Sequence, residues 1–295
     1  MTRHDLYRMT LLALLCLPAI PVQAALTPEQ AAQNQPVTPF RIIGDIYYVG
    51  ASDVSSYLIH TSGGLILLDG GFAETAPQIK SNIVKLGFKM SDVKILLNGH
   101  AHPDHAGGLA ALKRMTAARF YAMDEEVTPL EHSGRGTFYR GDRKLFDSIH
   151  VDHTLHDGDA VTLGGTTLTA HLTAGHTPGC TTWSTKTLEG GKTYAVVFLC
   201  QLSLSGGQPF VHNSIYPHMA QDYRHTFAVL GGMPCDVFLG EHGHMFDLKG
   251  KLARLATHPA ENPFIDPAGC RQFVAQSRNE FEAELKEEGA AAGQH

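Results

Sequence analysis

Six consecutive residues, His100-Ala101-His102-Pro103-Asp104-His105, constrain this chain more than any other segment. They follow the run Val93–Leu97, apolar apart from Lys94, which predicts a strand buried on both faces. In an extended segment residues i and i+2 project to one side, so His100 and His102 can grip one ion together. Asp104 and His105 are adjacent and diverge, so they can begin a second site. Pro103 stiffens the loop, and Gly107-Gly108 lets a helix start close behind, which pre-organises the donors at little entropic loss. Histidine is abundant throughout, 18 of 295 residues, so further donors are available elsewhere in the chain.

Two Gly-rich loops supply them. Thr173-Ala174-Gly175-His176-Thr177-Pro178-Gly179 follows a predicted strand ending near Leu172. Leu239-Gly240-Glu241-His242-Gly243-His244 follows the apolar run Val237–Leu239. Loops at strand ends are where ligating side chains are normally displayed. His242 and His244 compete for one role, and Glu241 reads as a solvated or supporting carboxylate.

The N-terminus carries a different signal. Arg3 and Arg8 precede a mostly apolar stretch, Met9–Ile20, and Val22-Gln23-Ala24 offers a small-x-small cleavage site. Residues 1–24 therefore read as a secretory signal peptide, too short in its apolar part to span a bilayer. Without them the net charge goes from −6 to −7, and Cys16 leaves four cysteines, Cys180, Cys200, Cys235 and Cys270. An even number in an exported chain suggests disulfides, although spacing alone leaves the pairing open. A negative chain offers no basic field for nucleic acid. The expectation is one domain over residues 25–295, periplasmic or secreted, monomeric and with no membrane anchor.

Short β-branched or apolar runs predict strands at Arg41–Gly50, Ser55–His60, Gly64–Asp69, Ala118–Met123, Ala160–Leu163, Thr166–Leu172, Thr181–Thr187 and Tyr194–Leu199. Helical periodicity marks Ala76–Leu86, Gly107–Met115, Met219–Leu230, Leu248–Thr257 and Ala268–Lys286. Residues 26–39 read as an irregular lead-in, and 131–147 as a loop whose Phe138 or Tyr139 can cover a substrate. Strands interleaved with helices in both halves imply an α+β fold of two mixed sheets flanked by helices.

These motifs together resemble the metallo-β-lactamase superfamily, over essentially residues 40–275. Its mark is H-x-H-x-D-H with later loop histidines, and Gly64-Leu65-Ile66-Leu67-Leu68-Asp69-Gly70-Gly71 looks like the strand-turn before its metal loop. The stretches GHTPGCTTW (175–183) and PCDVFLGEHGHMFDL (234–248) resemble class B β-lactamases of subclass 3. The resemblance implies an αββα sandwich with two Zn2+ ions. The first would be held by His100, His102 and His176, and the second by Asp104, His105 and His242. His242 is preferred to His244 because the subclass sets this ligand three residues before an apolar pair such as Met245-Phe246.

The resemblance also implies the reaction: opening of the β-lactam ring of a small-molecule antibiotic by a metal-bound hydroxide, with Asp104 orienting it. Lactonase-type and glyoxalase-type members carry a bridging Asp, but Phe198-Leu199-Cys200-Gln201-Leu202-Ser203 has no carboxylate. Another β-lactamase subclass uses a Cys ligand near Cys200 and lacks a His after the Asp, whereas His105 is present here. Disulfides Cys180–Cys200 and Cys235–Cys270 are the reading consistent with that. Gln201 stands where many relatives have Ser, and Ser203 keeps a hydroxyl for a substrate carboxylate; Thr182 and Ser205 are further contact candidates, and Asp69 a support for a ligand. The rival readings are a lactone or thioester hydrolase of the same superfamily and a non-catalytic exported zinc-binding protein.

Overall fold

The computed structural model describes residues 26–135, 141–204 and 208–292. The expected signal peptide, Phe138, Tyr139 and Ser205 lie outside the described residues. The lead-in contains a short helix, α1 (Pro28–Gln33), which the composition had hidden; Thr27 and Gln30 close it with a reciprocal capping box.

Strands β1 (Phe40–Ile43), β2 (Ile46–Tyr48), β3 (Tyr57–Thr61) and β4 (Gly64–Leu68) pair antiparallel in that order. The run expected as one strand at Arg41–Gly50 is thus a hairpin. Gly44, at φ +51°, takes the left-handed conformation that lets it turn. Helix α2 (Ala76–Lys85) leads to β5 (Val93–Leu97), then α3 (Pro103–Ala106), α4 (Leu109–Thr116), β6 (Arg119–Met123), α5 (Asp124–Glu131) and β7 (His153–Leu155). Strands β4 to β7 run parallel and complete a seven-stranded mixed sheet.

The second sheet is built from β8 (Ala160–Leu163), β9 (Thr166–Leu172), β10 (Thr181–Glu189) and β11 (Lys192–Leu199), all antiparallel. After α6 (Met219–Gly232), β12 (Val237–Gly240) joins beside β11 in parallel. Helices α7 (Leu248–Thr257) and α8 (Pro267–Ala292) follow. No helix of the described residues is long and apolar enough to cross a membrane.

Side-chain alternation explains the layering. In β4 and β5, Ile66, Leu68, Ile95 and Leu97 join the core that also holds Trp183, Val196 and Phe198 of the second sheet. Leu65, Leu67 and Leu96 face the other way, into a core shared with Ile79 and Ile83 of α2 and Leu109 and Leu112 of α4. Each such side chain, fully buried, contributes roughly 1.5–3 kcal/mol. That double burial is why Val93, Ile95, Leu96 and Leu97 are all apolar, while Lys94 near the start of the strand is exposed. On the far side of the second sheet, α6 and α8 meet through Tyr223 and Phe281, whose rings stack at 5.3 Å. The result is the expected αββα sandwich, two mixed sheets flanked by helices.

Strand ends converge at one place. Asp69 follows β4, the His100 loop follows β5, His176 follows β9, Gln201 follows β11 and His242 follows β12. Tyr57 of β3 donates its hydroxyl hydrogen to the carbonyl of Gly240, tying the first sheet to the end of β12.

Candidate metal centre

The six-residue motif is extended only through His102. Pro103 occupies the first turn of α3 with His102 as its N-cap, so the helical path begins earlier than behind Gly107. Proline is pre-set for that position, since its missing N–H has no partner in a helix's first turn. Asp104 and His105 therefore leave on a helical turn, away from the His100–His102 ladder.

Two groups of three result. Ring nitrogens of His100, His102 and His176 lie within 4.8 Å of one another, and so do donor atoms of Asp104, His105 and His242. His102 Nδ1 and His176 Nε2 are 3.1 Å apart. His105 Nε2 and His242 Nε2 are 3.3 Å apart, and Asp104 Oδ2 is 3.4 Å from each of them. The groups are neighbours: the His100 and His105 ring centres are 4.5 Å apart.

Three of the rings have an acceptor behind them. His100 Nδ1 donates to Glu241 Oε1 (3.1 Å), His176 Nδ1 to the Ser203 carbonyl (2.9 Å) and His242 Nδ1 to Asp53 Oδ2 (3.0 Å). Those bonds place the lone pair of each neutral ring on Nε2, the atom turned toward the cluster. Asp69 Oδ2 stands 3.6 Å from His105 Nδ1, while its Oδ1 accepts from the Gly99 N–H. Burial, together with the neighbouring His102, His105 and His176, holds His100 well below the usual imidazole range. Burial likewise brings His176 down to about 4. Both rings are thus neutral at pH 7, the form a metal requires.

His100 Nε2 is a buried nitrogen with no hydrogen-bond partner among the described residues. An orphaned lone pair facing two more imidazoles is unfavourable unless a cation completes it. Three nitrogens in one group and two nitrogens with a carboxylate in the other also suit zinc, which takes N and O donors in a four-fold shell. The residues present fit the metal.

Comparison with known proteins agrees. The family model of the metallo-beta-lactamase superfamily matches residues 49–187. The native FEZ-1 metallo-beta-lactamase of Legionella gormanii is 47% identical, with TM-score 0.84, over 87% of this chain and 98% of that one. BJP-1, a subclass B3 metallo-beta-lactamase of Bradyrhizobium japonicum, is 39% identical, with TM-score 0.81, over 88% and 98%. The chain belongs to the metallo-β-lactamase superfamily. A hydroxyacylglutathione hydrolase of Rhodopseudomonas palustris is 30% identical over 128 residues, 43% of this chain and 41% of that protein. The chain spans less than half the length of the curated relatives it matches.

The structure separates the two rival histidines of this metallo-β-lactamase chain. His242 and His244 both bond Asp53, but only His242 reaches Asp104 and His105; the His244 side chain is 63% exposed. Glu241 is buried rather than solvated, and its Oε2 accepts the Gln201 N–H. Burial pushes its carboxyl up to about 8 against the pull of His105. A cation among the histidines favours its ionised form.

The expected substrate contacts divide. Thr182 is fully buried, with its hydroxyl shared between Thr173 Oγ1 and the Cys200 N–H. It serves the packing of β10 and drops out as a contact. Ser203 is exposed beside His176, whereas Gln201 turns back on its own loop and accepts from the Leu202 and Ser203 N–H groups. A cavity of about 270 Å³ opens next to His102, walled by Pro129, Thr177, Pro178, Ile215 and Tyr216. Disulfides join Cys180 to Cys200 and Cys235 to Cys270.

Sequence reasoning missed two carboxylates here. Asp53 lies in the turn after β2, and its only sequence cue was an acidic residue in a short Gly-Ser-Asp connection. Glu126, in α5, is buried and bonded to the metal loops. A Glu in an acidic Asp124-Glu125-Glu126 run looks solvated, so no cue distinguished it.

Proposed function

We propose that this protein is an exported zinc-dependent β-lactamase that opens the ring of a β-lactam antibiotic. The carrying observation is the contact between two donor triads, His100/His102/His176 and Asp104/His105/His242, whose donor atoms converge from separate loops. Two zinc ions, when bound there, supply a water that ionises near neutral pH and a Lewis-acid pull on the substrate carbonyl.

The protein's own groups do the rest. Glu241, the Ser203 carbonyl and Asp53 fix the rings so that no reorganisation is needed when substrate arrives. Asp104 keeps one carboxylate oxygen between His105 and His242 and orients the attacking water. With the ions held by these two triads, the net reaction would be hydrolysis of the ring C–N bond, hydroxyl ending on the carbonyl carbon and the hydrogen on the ring nitrogen. The exposed Ser203 hydroxyl binds the substrate carboxylate, and no side-chain nucleophile is required. The protein acts as a monomer in the periplasm or outside the cell, after loss of residues 1–24, with residues 25–295 as one domain.

Support for β-lactams over thioesters or lactones comes from residues 198–203. They carry no acidic residue, and Cys200 is held in a disulfide. Purified mature protein should hydrolyse a chromogenic cephalosporin, lose that activity to a chelator and regain it with zinc. Metal-loaded protein that leaves every β-lactam intact but cleaves a glutathione thioester or a lactone would show the substrate assignment to be wrong. Metal binding without turnover of any of these would make it a zinc-binding protein only.

A further inference from the structure

The geometry points to Glu126 as a positioning residue that clips together the two loops bearing the first donor triad. This inference rests on the reading of the cluster as a zinc centre. Glu126 belongs to the first turn of α5, outside every loop that carries a donor, yet it is only 2% exposed. Its Oε2 accepts the Ala101 N–H at 2.7 Å. Its Oε1 accepts the Thr177 hydroxyl and the Gly179 N–H, the latter at 3.1 Å.

Position along the chain gives these bonds their meaning. Ala101 lies between His100 and His102, and Thr177 follows His176. Every member of the first triad is therefore one residue away from a group hydrogen-bonded to this one carboxylate. The approach is close: a Cβ on Gly179 would stand 2.6 Å from Glu126 Cγ, so a side chain there would push the loop off the helix. The loops are also joined where the Thr181 N–H donates to the Gly99 carbonyl at 2.8 Å and the Trp183 indole N–H to the Asn98 carbonyl at 3.1 Å. Those bonds lie at the outer ends, whereas Glu126 binds the backbone beside the histidines.

A buried carboxyl is unfavourable in itself, and burial raises the pKa of Glu126 while its three donors oppose the rise. Hydrogen bonds to a charged acceptor are about twice as strong as neutral ones, which suits a clamp between two otherwise separate loops. The second triad is held differently, by Asp53 behind His242 and Asp69 beside His105. Loosening Glu126 should therefore weaken one ion and spare the other.

The test is metal binding, read without substrate. Cobalt(II) is titrated into the full-length mature protein against a chromophoric chelator, and the visible spectrum of the bound ion is recorded. In Glu126→Gln one of two affinities should fall about 10- to 100-fold, the range for lost support behind a ligand. The other should stay within about twofold, as for independent sites. Thr177→Val should weaken the same ion about tenfold and shift its spectrum, and Thr177→Ser should restore both. Should Glu126→Gln fail to fold, the Thr177 pair decides. Wild-type affinities and spectra in the variants, with only the metal-free melting temperature lowered, would overturn the proposal, as would an equal loss at both ions. Wild-type protein that binds no cobalt would instead sink the zinc-centre reading, and a failure to turn over β-lactams affects neither result.

Discussion

Glu241 Oε1 sits 3.1 Å from His100 Nδ1, and the space it occupies exists because residue 99 has no side chain. A Cβ on Gly99 would fall 1.7 Å from that same oxygen. Gly99 and Glu241 are thus two halves of one arrangement that aims His100. Glu241→Ala should lower zinc affinity about 10- to 100-fold. Gly99→Ala should do the same by displacing the carboxylate. Because both act through one contact, the double variant should be no worse than either single one. Additive losses in a competition titration would mean that Gly99 matters for another reason.

The second triad makes a stoichiometric prediction. His105→Ala removes one of three donors and should take the zinc content from about two ions per chain toward one. His242→Ala should do likewise. His244→Ala should retain both ions, since its ring bonds only Asp53 and faces solvent. Metal analysis after dialysis reads all three, and two ions in His242→Ala with one in His244→Ala would reverse the assignment.

Much of this arrangement is legible in the sequence. The run Val93–Leu97, apolar apart from Lys94, announced a strand buried on both faces, and the histidine spacing announced where its loop would place donors. What stayed hidden depends on which chain ends meet. Glu126 and Glu241 look like surface acids because their partners, Ala101 and His100, are 25 and 141 positions away. Helix α5 was invisible for a local reason: Pro129 inside it weakens helical propensity, and packing of Leu130 into the core overrides that. The hairpin at Gly44 was missed because the residues on both sides are strand-formers.

That hairpin supplies a pH prediction. Arg41 of β1 forks onto both oxygens of Glu189 at the end of β10, and Glu189 also accepts the Gly44 N–H. The Arg41 hydrogen bond, partly opposed by burial, draws the Glu189 carboxyl below its ordinary value. A lowered folded-state value means the stabilisation is present above the ordinary Glu pKa and is lost as pH falls through the lowered one. Glu189→Gln should lose up to about 1 kcal/mol at neutral pH, and the difference from wild type should shrink in acid. A constant gap in urea melts across that range would refute the linkage.

The two disulfides should prove unequal in function though similar in stability. They close loops of sequence separation 20 and 35, so chain entropy assigns each about 3 to 4 kcal/mol. Their surroundings differ. Cys200 Sγ lies 3.8 Å from His100 Nδ1 and 3.7 Å from the Gly99 carbonyl, directly behind the first triad. Cys235 and Cys270 instead join the segment before β12 to α8. Replacing Cys235 and Cys270 with Ala should lower the melting temperature and leave zinc affinity unchanged. Replacing Cys180 and Cys200 should lower both, because the bridge is the wall against which Glu241 holds the His100 ring. Equal zinc affinity in the two double variants would show that the ring is held by its hydrogen bond alone.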